Sequence, residues 1–552
     1  MDVQPIIEAS REKVRELMAR DGIPGASVVL IAGGEPVWIE GFGATDAAGA
    51  RGIDPHTIFS LQSTSKTFAA TAVMIAVQRG LLDLDRPITA YLPDFAVSSR
   101  HERDPQAKMT LRLLLSHRAG FTHEAPVGGN FEPDFPTAAP DFEAHVASIS
   151  HTWLRYPVGA RYAYSNLGID LAGYILMRAC RASYGECLKT LIFDPLGMTD
   201  TTAAQDVYAA QANRAIGHQP GFAAVPVRIP LDASGGVYSS GADMARYAAF
   251  HLGRGTVEGR SILDRAHWET MHTPTFAGFP YALGIVGQTR NLETARVVTF
   301  THNGGGFGFG SSFIYCPDEQ LAWVVLYNGQ TKPGPPAPFD DVALRSMLDE
   351  TYGPPVVARP PAMPIIQPPK EALRLHTGTY LTGQIFLAMA EDPDGLEFQV
   401  SGEAAPNRLA LTSQDTAYVA EGPRAPQRVQ FHPQQGELAA WLEFSSDDAL
   451  QFAGASGFDF NDSDRDPPGS VGDRYDRFLG TYDVRQWGQT ILKVSLSKRN
   501  GYLYLGRTRT IEHLDGLFFT GDGEALDLRG ERPTFRNVQL IRTANDGDRL
   551  QP

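Results

Sequence analysis

The chain has 552 residues, 43% hydrophobic and 20% charged, with a formal net charge of −15 at pH 7. A single hydrophobic core stops growing at roughly 250–300 residues, so this length calls for two or three domains, and the composition is that of a globular protein able to fill them. The negative charge repels polyanions and excludes nucleic acid as a partner, and no run of ~18 apolar residues is present to span a bilayer as a helix.

Residues 5–20 place Ile6, Ile7, Val14, Leu17 and Met18 at helical spacing ahead of Gly22, which predicts an amphipathic first helix. Residues 1–18 mix acids and bases among apolar residues, unlike a signal peptide, so the expected compartment is the cytoplasm. Residues 26–32 and 36–42 flank Gly33-Gly34 and predict a β-hairpin. Residues 64–78 favour helix, with Gly80 as its left-handed stop. Residues 281–328 alternate as strands do, and a closing helix is predicted over 340–352. Strands at both ends with helices between them predict a sheet assembled from distant pieces, within a domain of residues 1–353.

Pro354, Pro355, Pro360, Pro361, Pro364, Pro368 and Pro369 then crowd a stretch that reads as a stiff linker over 354–369. Residues 461–473, which contain Asp-Pro-Pro-Gly, read as a second linker. Two modules remain, 370–460 and 474–552. Gly378-Thr379-Tyr380 recurs as Gly480-Thr481-Tyr482, each followed by strand, turn and strand, with the turns at Asp394-Gly395 and Asn500-Gly501. The modules read as a diverged repeat of small antiparallel barrels. Cys180, Cys187 and Cys316 are odd in number, lack metal-ligand spacing and read as buried free thiols; His267 and His272 stand five apart, so no metal is expected.

Ser-x-x-Lys occurs at Ser10/Lys13, Ser63/Lys66 and Ser495/Lys498. Residues three apart share a face only in a helix. Ser10 and Lys13 fall on the polar side of the first helix, as a solvated pair. Ser495 and Lys498 fall in the alternating run 490–498, where such positions point to opposite faces. At Ser63 a strand-like segment passes abruptly into a helix. Free backbone N–H groups and the positive end of a helix dipole there stabilise an oxyanion, with Ser63 N–H as one donor, and Lys66 one turn on reaches the Ser63 hydroxyl. To act as a base, Lys66 must have its pKa lowered from about 10.4, so it is expected to be partly buried.

Tyr164-Ser165-Asn166 follows a turn marked by Pro157 and Gly159 and precedes the helix-favouring residues 167–177. Alone, such a tripeptide is commonly just a capped helix start. Beside Ser63, Tyr164 would share a proton with Lys66 and pass it to a leaving group, while the Asn166 amide would orient Lys66 and a substrate carbonyl. Thr301-His302-Asn303-Gly304-Gly305-Gly306 supplies glycines on an edge strand, where a ligand's backbone can approach closely; without the lysine of a Walker motif it does not read as a phosphate loop.

Ser63-Thr64-Ser65-Lys66, Tyr164-Ser165-Asn166 and His302-Asn303-Gly304, in that order, resemble the three motifs of the penicillin-recognising serine hydrolases, which include class C β-lactamases, DD-carboxypeptidases, D-aminopeptidases and related esterases. Gly80-Leu81-Leu82-Asp83-Leu84-Asp85, Leu114-Leu115-Ser116-His117, Pro195-Leu196-Gly197-Met198 and Gly235-Gly236-Val237-Tyr238-Ser239 extend the resemblance over residues 1–350. It implies an α+β fold: a β-lactamase-like domain, with an antiparallel sheet flanked by helices and a helical subdomain inserted between Ser63 and the His302 strand, followed by the two all-β barrel-like domains. It implies catalytic roles for Ser63, Lys66, Tyr164 and His302, with Ser63 carrying the acyl group. The N–H groups of Ser63 and Gly305 would form the oxyanion hole, and Asn166, Asn303 and Gly304 would line the substrate site; no cofactor is implied. His302 departs from the lysine that β-lactamases and most carboxypeptidases of the group use to hold a substrate carboxylate. Histidine is commoner in aminopeptidase-like and esterase-like members.

A catalytic domain followed by two barrel-like modules is similar to D-aminopeptidases and D-amino-acid amidases, and to enzymes that trim linearised nonribosomal peptides. The expected activity is therefore a cytoplasmic peptidase or amidase acting on short peptides or amides with D or nonproteinogenic residues. A carboxylesterase stands second and a β-lactamase third. A non-catalytic binding protein of the same fold is the alternative of a different class, but a binder has no need of Ser63, Lys66 and Tyr164 together. The expected partner is a small peptide, amide or ester substrate, with neither nucleic acid nor membrane, and a homodimer stays open.

Overall fold

The first helix, α1 (Gln4–Asp21), ends where Gly22 adopts a left-handed φ of 67° and returns its N–H to the Met18 carbonyl. Its buried stripe holds Ile6, Ile7, Val14, Leu17 and Met18, and also Ser10. The expected solvated Ser10/Lys13 pair does not form. Position 10 lies three residues after Ile7 and four before Val14, inside the apolar stripe, while Lys13 is exposed and paired with Glu16.

The computed structural model describes residues 2–124, 141–220, 229–274, 280–332, 339 and 341–356, then 366, 373–382, 385–392, 395–400, 405–422, 427–432, 441–445, 462–465, 471–486, 489–499, 502–506, 508–520, 524–535 and 538–543. The chain divides into two compact units, the first built on Met1–Val356 and the second holding two β-barrels. No helix among the described residues is long and apolar enough to cross a membrane.

The first unit is organised by a six-stranded antiparallel sheet of β1 (Gly25–Ala32), β2 (Glu35–Gly43), β3 (Val286–Asn291), β4 (Arg296–Gly306), β5 (Phe309–Cys316) and β6 (Leu321–Tyr327), in the order β2-β1-β6-β5-β4-β3. The N-terminal hairpin thus joins strands from the far end of the domain, with Val28 opposite Val325. Period-2 alternation splits β1 between two cores. Ala26, Val28 and Leu30 pack with α1 and with α7 (Val342–Tyr352), whereas Val29 and Ile31 join the core around α2 (Ser65–Gln78).

Every residue of α2 from Ser65 to Ala76 is buried, as befits a helix surrounded by protein on all sides. Phe68 stacks on Tyr247 of α6 (Gly241–Leu252) at a ring separation of 3.8 Å. Between α2 and the second half of the sheet the chain forms a helical layer that includes α3 (Phe142–Ile149), α4 (Asn166–Cys180) and α5 (Asp232–Gly235). The cysteines are free thiols; Cys187 and Cys316 are buried, but Cys180, at the end of α4, is only half-buried.

Each module of the second unit is a closed barrel of eight sequential antiparallel strands, the first strand pairing with the last at Tyr380↔Arg465 and at Tyr482↔Arg542. The repeated tripeptides open the first strand of each, Gly378–Thr382 and Gly480–Gln486. Asp394, Asn500 and Gly501 lie outside the described residues, but the strands around them pair, Asp392 with Gly395 and Arg499 with Tyr502. Residues 461–473 do not serve only as a linker: Asp462–Arg465 is the strand that closes the first barrel, paired on both sides through its backbone, which a polar composition does not reveal.

Candidate active site

Ser63 stands in a 3₁₀ turn, Gln62–Thr64, that runs directly into α2. Gln62 has φ 50°, a left-handed conformation costing a residue with a Cβ roughly 1–2 kcal/mol, and its buried amide donates to Ser60 Oγ at 2.7 Å. The chain thereby turns sharply from strand Phe59–Ser60 into the helix, leaving Ser63 partly exposed between buried Gln62 and Thr64. Thr64 Oγ1 donates to the His302 carbonyl at 3.1 Å and Ser311 Oγ to the Leu61 carbonyl at 2.7 Å, fastening the turn to β4 and β5.

Lys66, one helical turn on, is completely buried, with Nζ 3.1 Å from Ser63 Oγ and 2.8 Å from the Ser234 carbonyl oxygen. Burial pushes its pKa down to about 7, against the opposing pull of the Asp170 and Glu124 carboxylates. At neutral pH a substantial fraction is therefore free amine, with a lone pair for the Ser63 proton and N–H groups for Ser234. The Ser234 carbonyl is itself held in place: Asp170 Oδ1 accepts the Ala233 and Ser234 N–H groups at 3.1 and 2.8 Å, and Oδ2 takes the Ser234 hydroxyl at 2.8 Å. His145 Nε2 backs Asp170 at 3.0 Å, both side chains fully buried.

Ser165 caps α4, accepting the Leu167 N–H, which leaves Tyr164 just outside the helix beside Ser63. Lys66 Nζ lies 4.8 Å from the centre of its ring, and the nearby Ser63 hydroxyl favours the phenolate slightly against the effect of burial. Burial drives the Tyr164 pKa far up, so the hydroxyl keeps its proton across the neutral range. His117 and Tyr281 pack around it: the His117 ring is 4.4 Å from Tyr164 and 4.6 Å from Tyr281.

His302 is buried on β4, its Nδ1 2.8 Å from the Asn303 carbonyl oxygen and its Nε2 2.9 Å from the Tyr281 hydroxyl. The carbonyl requires the proton on Nδ1, so Nε2 accepts from Tyr281. Burial, then the charge on Lys66, brings its pKa down to about 3, so His302 is a neutral ring across the neutral range. β3 pairs with β4 as far as Thr301, whereas β5 pairs with it through His302–Gly306. A Cβ on Gly304 would fall 2.1 Å from the Leu61 oxygen and 3.0 Å from Ser63 N, so the strand reaches the nucleophile turn only with glycine there; one on Gly305 would meet nothing within 4 Å.

Ser63, Lys66, Tyr164 and His302 thus converge with Gly304 and Gly305, while Asn303 pairs with Ser312 in the sheet. Asn166 departs from expectation. It does not bond Lys66; its Nδ2 donates to Glu124 Oε1 at 2.8 Å and lies 3.4 Å from His123 Nε2. As the first residue of α4, with Ser165 holding the cap, it faces His123 and Glu124, and Lys66 Nζ is served by Ser63 and Ser234 instead. The sequence reading missed Ser234, Asp170, His145 and Glu124. Only Ser234 adjoined a quoted motif, and its contribution to Lys66 is a main-chain carbonyl. Among the described residues, no group of three or more His, Cys, Asp or Glu side chains converges as a metal would require.

A family model described as Beta-lactamase matches residues 11–345. The unguisins hydrolase ungD' of Aspergillus campestris is 28% identical over 344 residues, which is 59% of this chain and 62% of that protein, so the chain spans less than two thirds of this relative. The D-alanyl-D-alanine-carboxypeptidase/endopeptidase AmpH of Escherichia coli is 25% identical over 314 residues, 55% of this chain and 80% of that protein. The crystal structure of SurE with D-Leu aligns with a TM-score of 0.54 over 84% of this chain and 99% of its own, at 21% identity, a likeness of fold.

Proposed function

Because the chain belongs to the β-lactamase family of serine hydrolases, we propose that it cleaves amide bonds of short peptides or amides, with D or nonproteinogenic residues among its substrates, through an acyl-enzyme on Ser63. The observation that carries this reading is Lys66 Nζ, wholly buried and 3.1 Å from Ser63 Oγ. Lys66 takes the hydroxyl proton as Oγ attacks the carbonyl carbon, and the resulting oxyanion lies against the N–H groups of Ser63 and Gly305. The proton passes through Tyr164 to the leaving nitrogen, the C–N bond breaks, and water then hydrolyses the ester by the reverse path.

Neutral His302 offers no cation for a substrate carboxylate, which weighs against β-lactam or carboxypeptidase chemistry and for substrates neutral at that end. The name of one relative, a D-alanyl-D-alanine-carboxypeptidase/endopeptidase, and the D-Leu in the SurE structure are in keeping with D-configured substrates. The same neutral His302 leaves a carboxylesterase as the second reading. A panel of L- and D-aminoacyl p-nitroanilides, short-chain esters and nitrocefin tests the proposal: preferential turnover of the anilides supports it, and turnover of the esters alone overturns it. Among the described residues the barrels show no Ser-Lys-Tyr cluster, and their proposed part is selection of substrate size. A chain ending near Gly353 should then alter the preference between long and short substrates.

A further inference from the structure

One charge beside Ser63 has no part in this chemistry. Glu124 follows two residues fixed against the start of α4, where Ser165 Oγ donates to the Thr122 carbonyl at 2.6 Å and Asn166 N–H to the His123 carbonyl at 3.2 Å. Its side chain is 8% exposed. Oε1 accepts from Asn166 Nδ2 at 2.8 Å, with His123 Nε2 at 4.0 Å, whereas Oε2 is buried with no hydrogen-bond partner among the described residues. Its field reaches both Lys66 and Tyr164 and raises the pKa of each.

A carboxylate oxygen removed from water without a donor costs about 1–3 kcal/mol or more, so a native chain that keeps one calls for an explanation, such as a donor that arrives with a ligand. A ligand carboxylate would be repelled there, and among the donors a ligand can bring, a cationic one binds a carboxylate about twice as strongly as a neutral one. Asn166, two residues from Tyr164, pins the carboxylate where its charge acts on both Lys66 and Tyr164, the two neighbours of Ser63.

We propose that Glu124 is a specificity residue that binds a primary ammonium group of the substrate next to the acyl group transferred to Ser63, which makes amine-bearing peptides and amides the preferred class. The inference rests on the Ser63 reading above. Its test compares alanine p-nitroanilide with propionyl p-nitroanilide, which differ by the amine alone, on the full chain. The wild type should favour the alanine compound in kcat/KM by about tenfold or more, the scale of one charge-assisted hydrogen bond. Glu124→Gln keeps an acceptor for Asn166 but no charge, and should bring the ratio close to one; Glu124→Asp should retain much of it. Fluorophosphonate labelling of Ser63 checks fold and nucleophile in each variant. If Glu124→Gln is not labelled, protection of wild-type Ser63 by alaninamide at concentrations at least tenfold below those needed for propionamide decides the same point. A labelled wild type without the preference, or with no turnover of the alanine compound, or a labelled Glu124→Gln that keeps the preference, overturns the role of Glu124 and leaves Ser63 standing. A wild type unlabelled at Ser63 overturns the acyl-enzyme reading and this inference with it.

Discussion

Ser63/Lys66 and Ser495/Lys498 share one spacing and nothing else. The first pair begins a buried helix, where three residues make nearly one turn and the lysine comes to 3.1 Å from the hydroxyl. The second lies in strand Gln489–Arg499, where residues three apart leave opposite faces. Lys498 turns instead to Asp473, Asp476 and the Gly472 carbonyl at 2.8, 2.6 and 2.9 Å, and those carboxylates raise its pKa while burial brings Lys66 down to about 7. Two chemically identical ammonium groups are thus driven in opposite directions, one toward a base and the other toward a permanent cation. Spacing proposes a pair; secondary structure and burial make it reactive.

The contrast breaks most sharply at the serines. Ser63→Ala should remove amide turnover by about four orders of magnitude or more, while Ser495→Ala leaves it unchanged, as steady-state kinetics with adduct mapping by mass spectrometry will read. Next come the lysines. Lys66→Arg should lose roughly 10²-fold or more in acylation because a guanidinium stays protonated, and Lys498→Arg should lose nothing. Wild-type kcat/KM should rise through pH ~7 as Lys66 gives up its proton, with no step from His302, whose pKa lies at about 3. A pH profile flat from 5 to 9 would contradict this assignment. Tyr164→Phe should slow acylation and deacylation unequally, within about 10²-fold in single-turnover experiments, because it removes a relay and leaves the base.

The smallest effect is on stability and has the opposite sign. The folded protein holds Lys66 at about 7 against 10.5 when unfolded, so between these values the unfolded chain binds more protons and stability rises with pH on account of this group. Lys66→Met should therefore stabilise by about 1–2 kcal/mol at pH 6, and the gain should shrink toward pH 10. Equal thermal shifts at both pH values would show that burial of the amine carries no cost.

The placement of Ser63, Lys66 and Tyr164 was legible because it follows from local conformation: a helix start, a one-turn spacing and a capped entrance to α4. The barrels were legible through the repeated Gly-Thr-Tyr and the turn dipeptides that register their strands. What escaped depended on tertiary partners. Asn166 has two carboxamide ends and no local reason to prefer Lys66 over Glu124, and the Ser234 carbonyl that serves Lys66 is a main-chain atom no side-chain pattern announces. Ser10 was misplaced because a polar residue was assumed to mark a polar face, and Asp462–Arg465 because a polar stretch containing Asp-Pro-Pro-Gly reads as a connection.

Adjacent glycines on β4 face opposite demands. At Gly304 any larger side chain collides with the Leu61 oxygen, so that position is closed to change if the nucleophile turn is to stay where it is; at Gly305 a methyl group would meet empty space. A position with room for a side chain, its own N–H kept, therefore stands next to one that has none. A lineage, or a directed-evolution library, exploring new acyl groups has at Gly305 a position where novelty comes without loss of the fold.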